Sequence, residues 1–69
     1  MGTRLRVKEV AEQKGFNQAS LARKADIDFK TVKRVFRDPY HDVSLYILNR
    51  IAQALDVPTS ALLEDVPDV

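Results

Sequence analysis

Lys30, Lys33, Arg34 and Arg37 fall within one short segment, FKTVKRVFR, and no acid interrupts them. At 100° per residue from Phe29, the four cations lie between about 40° and 140° of a helical wheel, while Val32, Val35 and Phe36 lie between about 240° and 340°. A helix with that pattern anchors on one side and offers an unbroken cationic side to a polyanion. Lysine and arginine can neutralise phosphate, and they can also donate to guanine O6 and N7. The net charge of +1 conceals this chemistry. Residues 1–37 hold ten Lys/Arg against four Asp/Glu, a net of +6, and residues 38–69 hold one against six, a net of −5.

Other chemistries find no residues to work with. The 69-residue chain has no cysteine, which rules out disulfides and Cys-ligated zinc or iron–sulfur centres. His41 is the only histidine. It sits in a Pro-Tyr-His-Asp loop with no second nitrogen or sulfur ligand nearby, so it reads as an exposed loop residue, with a phosphate contact from His41 or Tyr40 left open. Ser20, Ser44 and Ser60 lack a His/Asp arrangement that would make one a nucleophile. Gly2 and Gly15 are the only glycines, too few to cradle phosphate. No catalytic residue, metal or cofactor is expected. No apolar run approaches the ~18 residues of a membrane span, so a soluble, cytoplasmic protein is expected.

The elements that must carry the cationic helix follow from local signals. A chain this short buries only about 60% of its unfolded surface, and without staples it needs close helix–helix packing. The pattern predicts an all-α, compact five-helix domain over residues 1–64 with an acidic tail over 65–69. The first helix runs about Arg4 to Lys14, with Val7, Val10 and Ala11 inward and Leu5 on the wrong side of the wheel. Asn17 caps a second helix, Gln18 to Ala25, whose Ala22 and Ala25 let a neighbour approach closely. Asp28 caps a third, Phe29 to Arg37, and Asp38-Pro39 stops it. Ser44 caps a fourth, Leu45 to Leu55, with a wide apolar arc including Leu45, Ile47 and Leu48. A short fifth, Thr59 to Glu64, offers Leu62 and Leu63 to the core.

Segment 18–37 has the layout of a helix-turn-helix: small Ala22 where the helices cross, apolar Ile27 in the turn, and Val32 and Val35 as inner anchors. In the pieces VKEVAEQKGFNQASLARKADIDFKTVKRVF and VSLYILNRIAQALDVPTSALLEDVPD the chain resembles the Cro-like, or XRE-type, phage-repressor helix-turn-helix family over nearly its whole length. It is similar in particular to short stand-alone bacterial regulators ending in Leu-Leu-Glu and Val-Pro-Asp. The resemblance implies a lambda-repressor-like domain and a sequence-specific transcriptional regulator that binds double-stranded DNA with residues 29–37 in the major groove. It assigns Gln18 to a phosphate and Phe29, Lys30 and Lys33 to base edges. Thr31 and Arg34 are placed for phosphate or edge contacts, and Arg37 for phosphate.

The sequence departs from the family pattern in three places. Asp26 stands where the turn is usually glycine. Phe29 stands at a usually polar position; it either touches DNA or folds back on the turn or a partner protein. The loop after the third helix, DPYHD, is acidic rather than basic. Arg4, Arg6 and Lys8 read either as solubilising charge or as an arm near the DNA backbone. Homodimerisation is expected of the family, with Ile47, Ala54, Val66 and Val69 as candidates for the patch. The alternative reading is a protein-interaction module, such as an antitoxin holding a toxin or another regulatory protein on the same scaffold.

Overall fold

Three of the four α-helices among the described residues begin where a short polar side chain takes up a free backbone donor, and two of those three end in a left-handed residue. The computed structural model describes residues 2–40 and 42–66, so His41 lies outside the described residues. In chain order the elements are β1 (Gly2–Leu5), α1 (Val7–Gln13), α2 (Gln18–Ala25), α3 (Phe29–Arg37), α4 (Leu45–Leu55), a 3-10 helix (Thr59–Leu62) and β2 (Leu63–Val66).

The three central helices start and stop as expected. Asn17 and Ser20 form a reciprocal capping box, with the Ser20 N–H donating to Asn17 Oδ1 at 2.8 Å and the Asn17 N–H donating to Ser20 Oγ at 2.9 Å. Asp28 Oδ1 accepts from the Lys30 N–H at 2.9 Å, and Ser44 Oγ from the Ile47 N–H at 3.1 Å. Gly15, at φ +82°, lies just past the end of α1, and the Phe16 N–H then returns to the Ala11 carbonyl at 2.9 Å. Asp26 and Asp56 close α2 and α4 in the same left-handed region.

Both ends of the fold differ from the all-α, five-helix expectation. Among the described residues four α-helices and one 3-10 helix carry the domain, and β1 and β2 form a two-stranded antiparallel ribbon with Leu5 opposite Leu63 and Gly2 opposite Val66. An extended backbone puts successive side chains on opposite faces. Leu5, which a helix would point outward, is therefore buried, and Arg4 faces Glu64 across the ribbon. Arg4 Nη1 donates to Glu9 Oε2 on α1 at 2.6 Å and to Glu64 Oε1 at 3.1 Å. Arg4 is thus a tie between ribbon and helix, not a free cation of an arm. The hydrogen bond to Glu9 raises the Arg4 guanidinium above its ordinary value. Burial pushes the Glu9 carboxyl up, but the hydrogen bond from Arg4 and the nearby charges of Arg4 and Arg6 bring it below the usual carboxylate range.

At the other end, the four residues after Pro58 are too few to nucleate an α-helix in isolation, and they take a 3-10 turn instead. Leu62 is fully buried, whereas Leu63 is 40% exposed. Asp65 and Val66, expected in a tail, are the last residues of β2, and residues 67–69 lie outside the described residues. The Arg6 N–H donates to the Leu62 carbonyl at 2.8 Å, so the start of α1 is held by the chain's other end rather than by a side-chain cap.

The core gathers Leu21 of α2, Val32 and Val35 of α3, Ile51 and Leu55 of α4, and Val7 of α1. Burying a large aliphatic side chain contributes about 1.5–3 kcal/mol, so these few residues supply much of the fold's stability. Ala22 and Ala25 are buried between α2 and its neighbours, as close approach requires. Phe36 on α3 is only partly buried; on α4 Ile47 is partly buried and Leu45 is 69% exposed, so the inner arc of α4 begins later than expected. Ala54, a candidate for a dimer patch, is part of the core. Among the described residues no helix is long and apolar enough to cross a membrane.

Candidate nucleic-acid interface

The cationic side of α3 is built by its own anchors. Val32 and Val35 are fully buried and fix the rotation of the helix about its axis, and this leaves Lys30, Lys33, Arg34 and Arg37 exposed together. The four line one shallow depression of about 460 Å³ with Asp38. Among the described residues none of the four cations is ion-paired; the salt bridges engage Arg4 and Arg50 instead. Free cations beside one another repel, and a phosphate backbone relieves that repulsion. Asp38 at the far end is turned to local use, its Oδ1 accepting from the Tyr40 N–H at 3.0 Å.

A second depression, about 490 Å³, lies at the start of α2 and brings Gln18 together with Phe29, beside Lys8, Asn17, Phe16 and Phe36. Phe29 also borders a third hollow with Ala19, Asp26 and Ile27. It lies against the turn and still exposes 46% of its surface, so the turn does not engulf it. The expected residues therefore fall into two groups. Lys30, Lys33, Arg34 and Arg37 share one hollow, Gln18 and Phe29 share the next, and Thr31 stands half-buried on α3 outside both.

Lys8 is the cation of the first residues that the fold brings beside Gln18. Arg50 on α4 belongs to no motif in the sequence. Its Nε donates to the Ala25 carbonyl at 2.9 Å and its Nη2 reaches Asp26 Oδ2 at 3.4 Å, which ties α4 to the turn before α3. Its one signal in the sequence is its isolation, as the only Lys or Arg after position 37. Among the described residues no group of three or more His, Cys, Asp and Glu side chains could hold a metal ion.

The sequence model of one family, the Cro/C1-type HTH DNA-binding domain, matches residues 6–68. No curated protein matches the chain.

Proposed function

As the chain belongs to the Cro/C1-type HTH DNA-binding domain family, we propose that it is a sequence-specific transcriptional regulator that lays α3 in the DNA major groove. The observation that carries this reading is the set of four cations on the exposed side of α3, opposite Val32 and Val35 and without an ion-pair partner among the described residues. The major groove is about 12 Å wide and admits one helix. Lys30 and Lys33, early on α3, read base edges, with guanine O6 and N7 as the matching acceptors. Arg34 and Arg37 meet the phosphates that wall the groove, and Thr31 supports one of these contacts. Gln18 and the first turn of α2 grip a phosphate on the near side, and Phe29 packs on a thymine methyl or a sugar between the two groups.

Selection of duplexes from a random library, followed by titration at several salt concentrations, tests this. Enrichment of one sequence is expected, with log affinity falling by about 0.9 per contacted phosphate for each tenfold rise in salt. Arg34→Ala should flatten that slope by about one unit on every sequence, while Lys33→Ala should relax preference at one base position. No enrichment together with no salt dependence would sink the reading.

The exposure of Phe29 favours one second reading, in which the same scaffold holds a toxin or regulatory protein. Capture of one stoichiometric partner by the wild-type chain, lost in Phe29→Ala, supports it. The symmetry of the selected DNA reports whether two copies bind together, since paired half-sites one helical turn apart require a dimer.

A further inference from the structure

Arg50 lines a different hollow from the cations of α3, and its contacts are to groups of the chain itself. It meets the Ala25 carbonyl at 2.9 Å and the Asp26 carboxylate at 3.4 Å. Its guanidinium carbon lies 5.8 Å from the centre of the Tyr46 ring, one turn earlier on α4 and within the ~6 Å reach of a cation–π contact. Tyr46 is 65% exposed, so burial does not account for an aromatic there.

The two groups that Arg50 meets are the weak points of the turn. Ala25 ends α2, and its carbonyl is one of the four that no intrahelical donor reaches. Asp26 adopts φ 56°, ψ 48°, a conformation that side chains with a Cβ resist. Its carboxylate also stands at the negative end of the α2 dipole. One guanidinium answers both problems, giving the carbonyl a donor and placing a positive charge beside the carboxylate.

Asp56 serves as an internal control. It closes α4 at φ 57°, ψ 45°. Its N–H returns to Gln53 at 3.2 Å, as that of Asp26 returns to Arg23 at 3.3 Å. The next N–H follows suit, Val57 to Ala52 at 3.0 Å and Ile27 to Ala22 at 3.1 Å. Among the described residues no side chain reaches the Asp56 carboxylate. A left-handed aspartate therefore ends a helix in this fold without a clamp. The clamped turn is the one that leads into α3.

We propose that Arg50 is a positioning residue for DNA recognition, fixing the turn that sets the angle at which α3 presents Lys30, Lys33 and Arg37, with Tyr46 holding the guanidinium in place. This rests on the reading that α3 enters the major groove. The lever is long enough to matter. A nine-residue helix spans roughly 13 Å, so a tilt of about 10° at the turn moves Arg37 at the far end by about 2 Å. Lys33, about 6 Å along, moves by about 1 Å, which a base-edge hydrogen bond tolerates less than a phosphate contact does. Contacts to specific bases should suffer more than contacts to any backbone.

The test measures affinity for the selected duplex and for a random duplex in wild type, Arg50→Ala, Asp26→Gly and the double variant, with melting followed by circular dichroism. Arg50→Ala should lose about tenfold on the selected duplex and about twofold or less on the random one, at a temperature where it is folded. Asp26→Gly alone should leave both values within about twofold. Added to Arg50→Ala, it should restore most of the loss, because glycine takes the left-handed conformation freely and brings no carboxylate. If Arg50→Ala does not fold, Arg50→Lys carries the test. Lysine keeps the charge but lacks the planar fork that reaches two acceptors, so a smaller loss with the same rescue is expected. Equal losses on both duplexes, or no rescue by Asp26→Gly, would overturn the proposal. A wild-type chain that ignores the selected duplex defeats the DNA reading, and the positioning role with it.

Discussion

Asp26 and Asp56 close α2 and α4 with almost the same backbone, and each is followed by a half-buried β-branched residue, Ile27 or Val57. The neighbours differ. Before Asp56 stands Leu55, a fully buried side chain, whereas before Asp26 stands Ala25, small enough to let α4 approach. Two residues after Asp56 stands Pro58, which precedes the 3-10 helix without a side-chain cap, whereas two residues after Asp26 stands Asp28, which caps α3. One turn is held from beneath by packing. The other is held from the side by hydrogen bonds and charge, because the alanine that makes room for α4 gives up the anchoring volume. A helix stop is thus a local device, and the tertiary neighbours decide how firmly it is held.

Truncating the buried anchor breaks the comparison most severely. Leu55→Ala should cost about 2–5 kcal/mol in urea unfolding, since a fully buried leucine leaves a cavity that the helices only partly close. A loss under about 1 kcal/mol would mean that packing does not hold the second turn.

The residues that follow the turns separate the two next. Asp28→Ala should cost about 1 kcal/mol, the usual worth of an N-cap, and should weaken DNA binding by loosening the first turn of α3. Pro58→Ala should cost about half as much, acting only through the freedom of the unfolded chain, and should leave DNA binding alone.

Glycine at the two stops should act unequally. Asp56→Gly should stabilise by about 0.5 kcal/mol, relief of the left-handed cost being partly offset by a freer unfolded chain, and should raise the melting temperature by about 2–4 °C. Asp26→Gly should gain less, because it also strips Arg50 of one partner. The reverse order would show that the clamp contributes nothing to the folded state.

The smallest effect lies outside both turns and gauges what an exposed tie contributes. The Glu9 carboxyl sits below its ordinary value in the fold. The stability it adds is therefore complete above the ordinary glutamate range and fades as pH falls through the lowered value. Glu9→Gln should flatten the acid limb of a melting-temperature profile slightly and leave the neutral region almost unchanged, as expected of a pair that water screens.

The legible parts of this molecule are those written within a few residues. Asn17, Asp28 and Ser44 sit immediately before the helices they cap, so α2, α3 and α4 could be bounded from sequence. The common face of Lys30, Lys33, Arg34 and Arg37 follows from helical periodicity alone. What escaped was long-range. The pairing of Leu5 with Leu63 and the reach of Arg50 to Ala25 join positions far apart in the chain. A four-residue strand also shows too little alternation to distinguish it from a helix start or end. The exposure of Leu45 was missed for a related reason, since an apolar residue at a helix start reads as core whether or not a neighbour covers it.

The ribbon has a consequence for the order in which the molecule is made. β1 contains the earliest described residues to be synthesised and β2 the latest, and each is the other's strand partner. On the ribosome, the helices between them can collapse on short-range contacts while β1 waits unpaired for the rest of the domain. Closing so long a loop is slow, although lengthening it further would add little entropy cost. Short-range contacts therefore favour framing the helix-turn-helix before the ribbon latches it. The same latch, Arg4 with its two glutamates and the Arg6 bond to Leu62, is tied partly through exposed side chains, and faster amide exchange there than in α2 and α3 is the expected result.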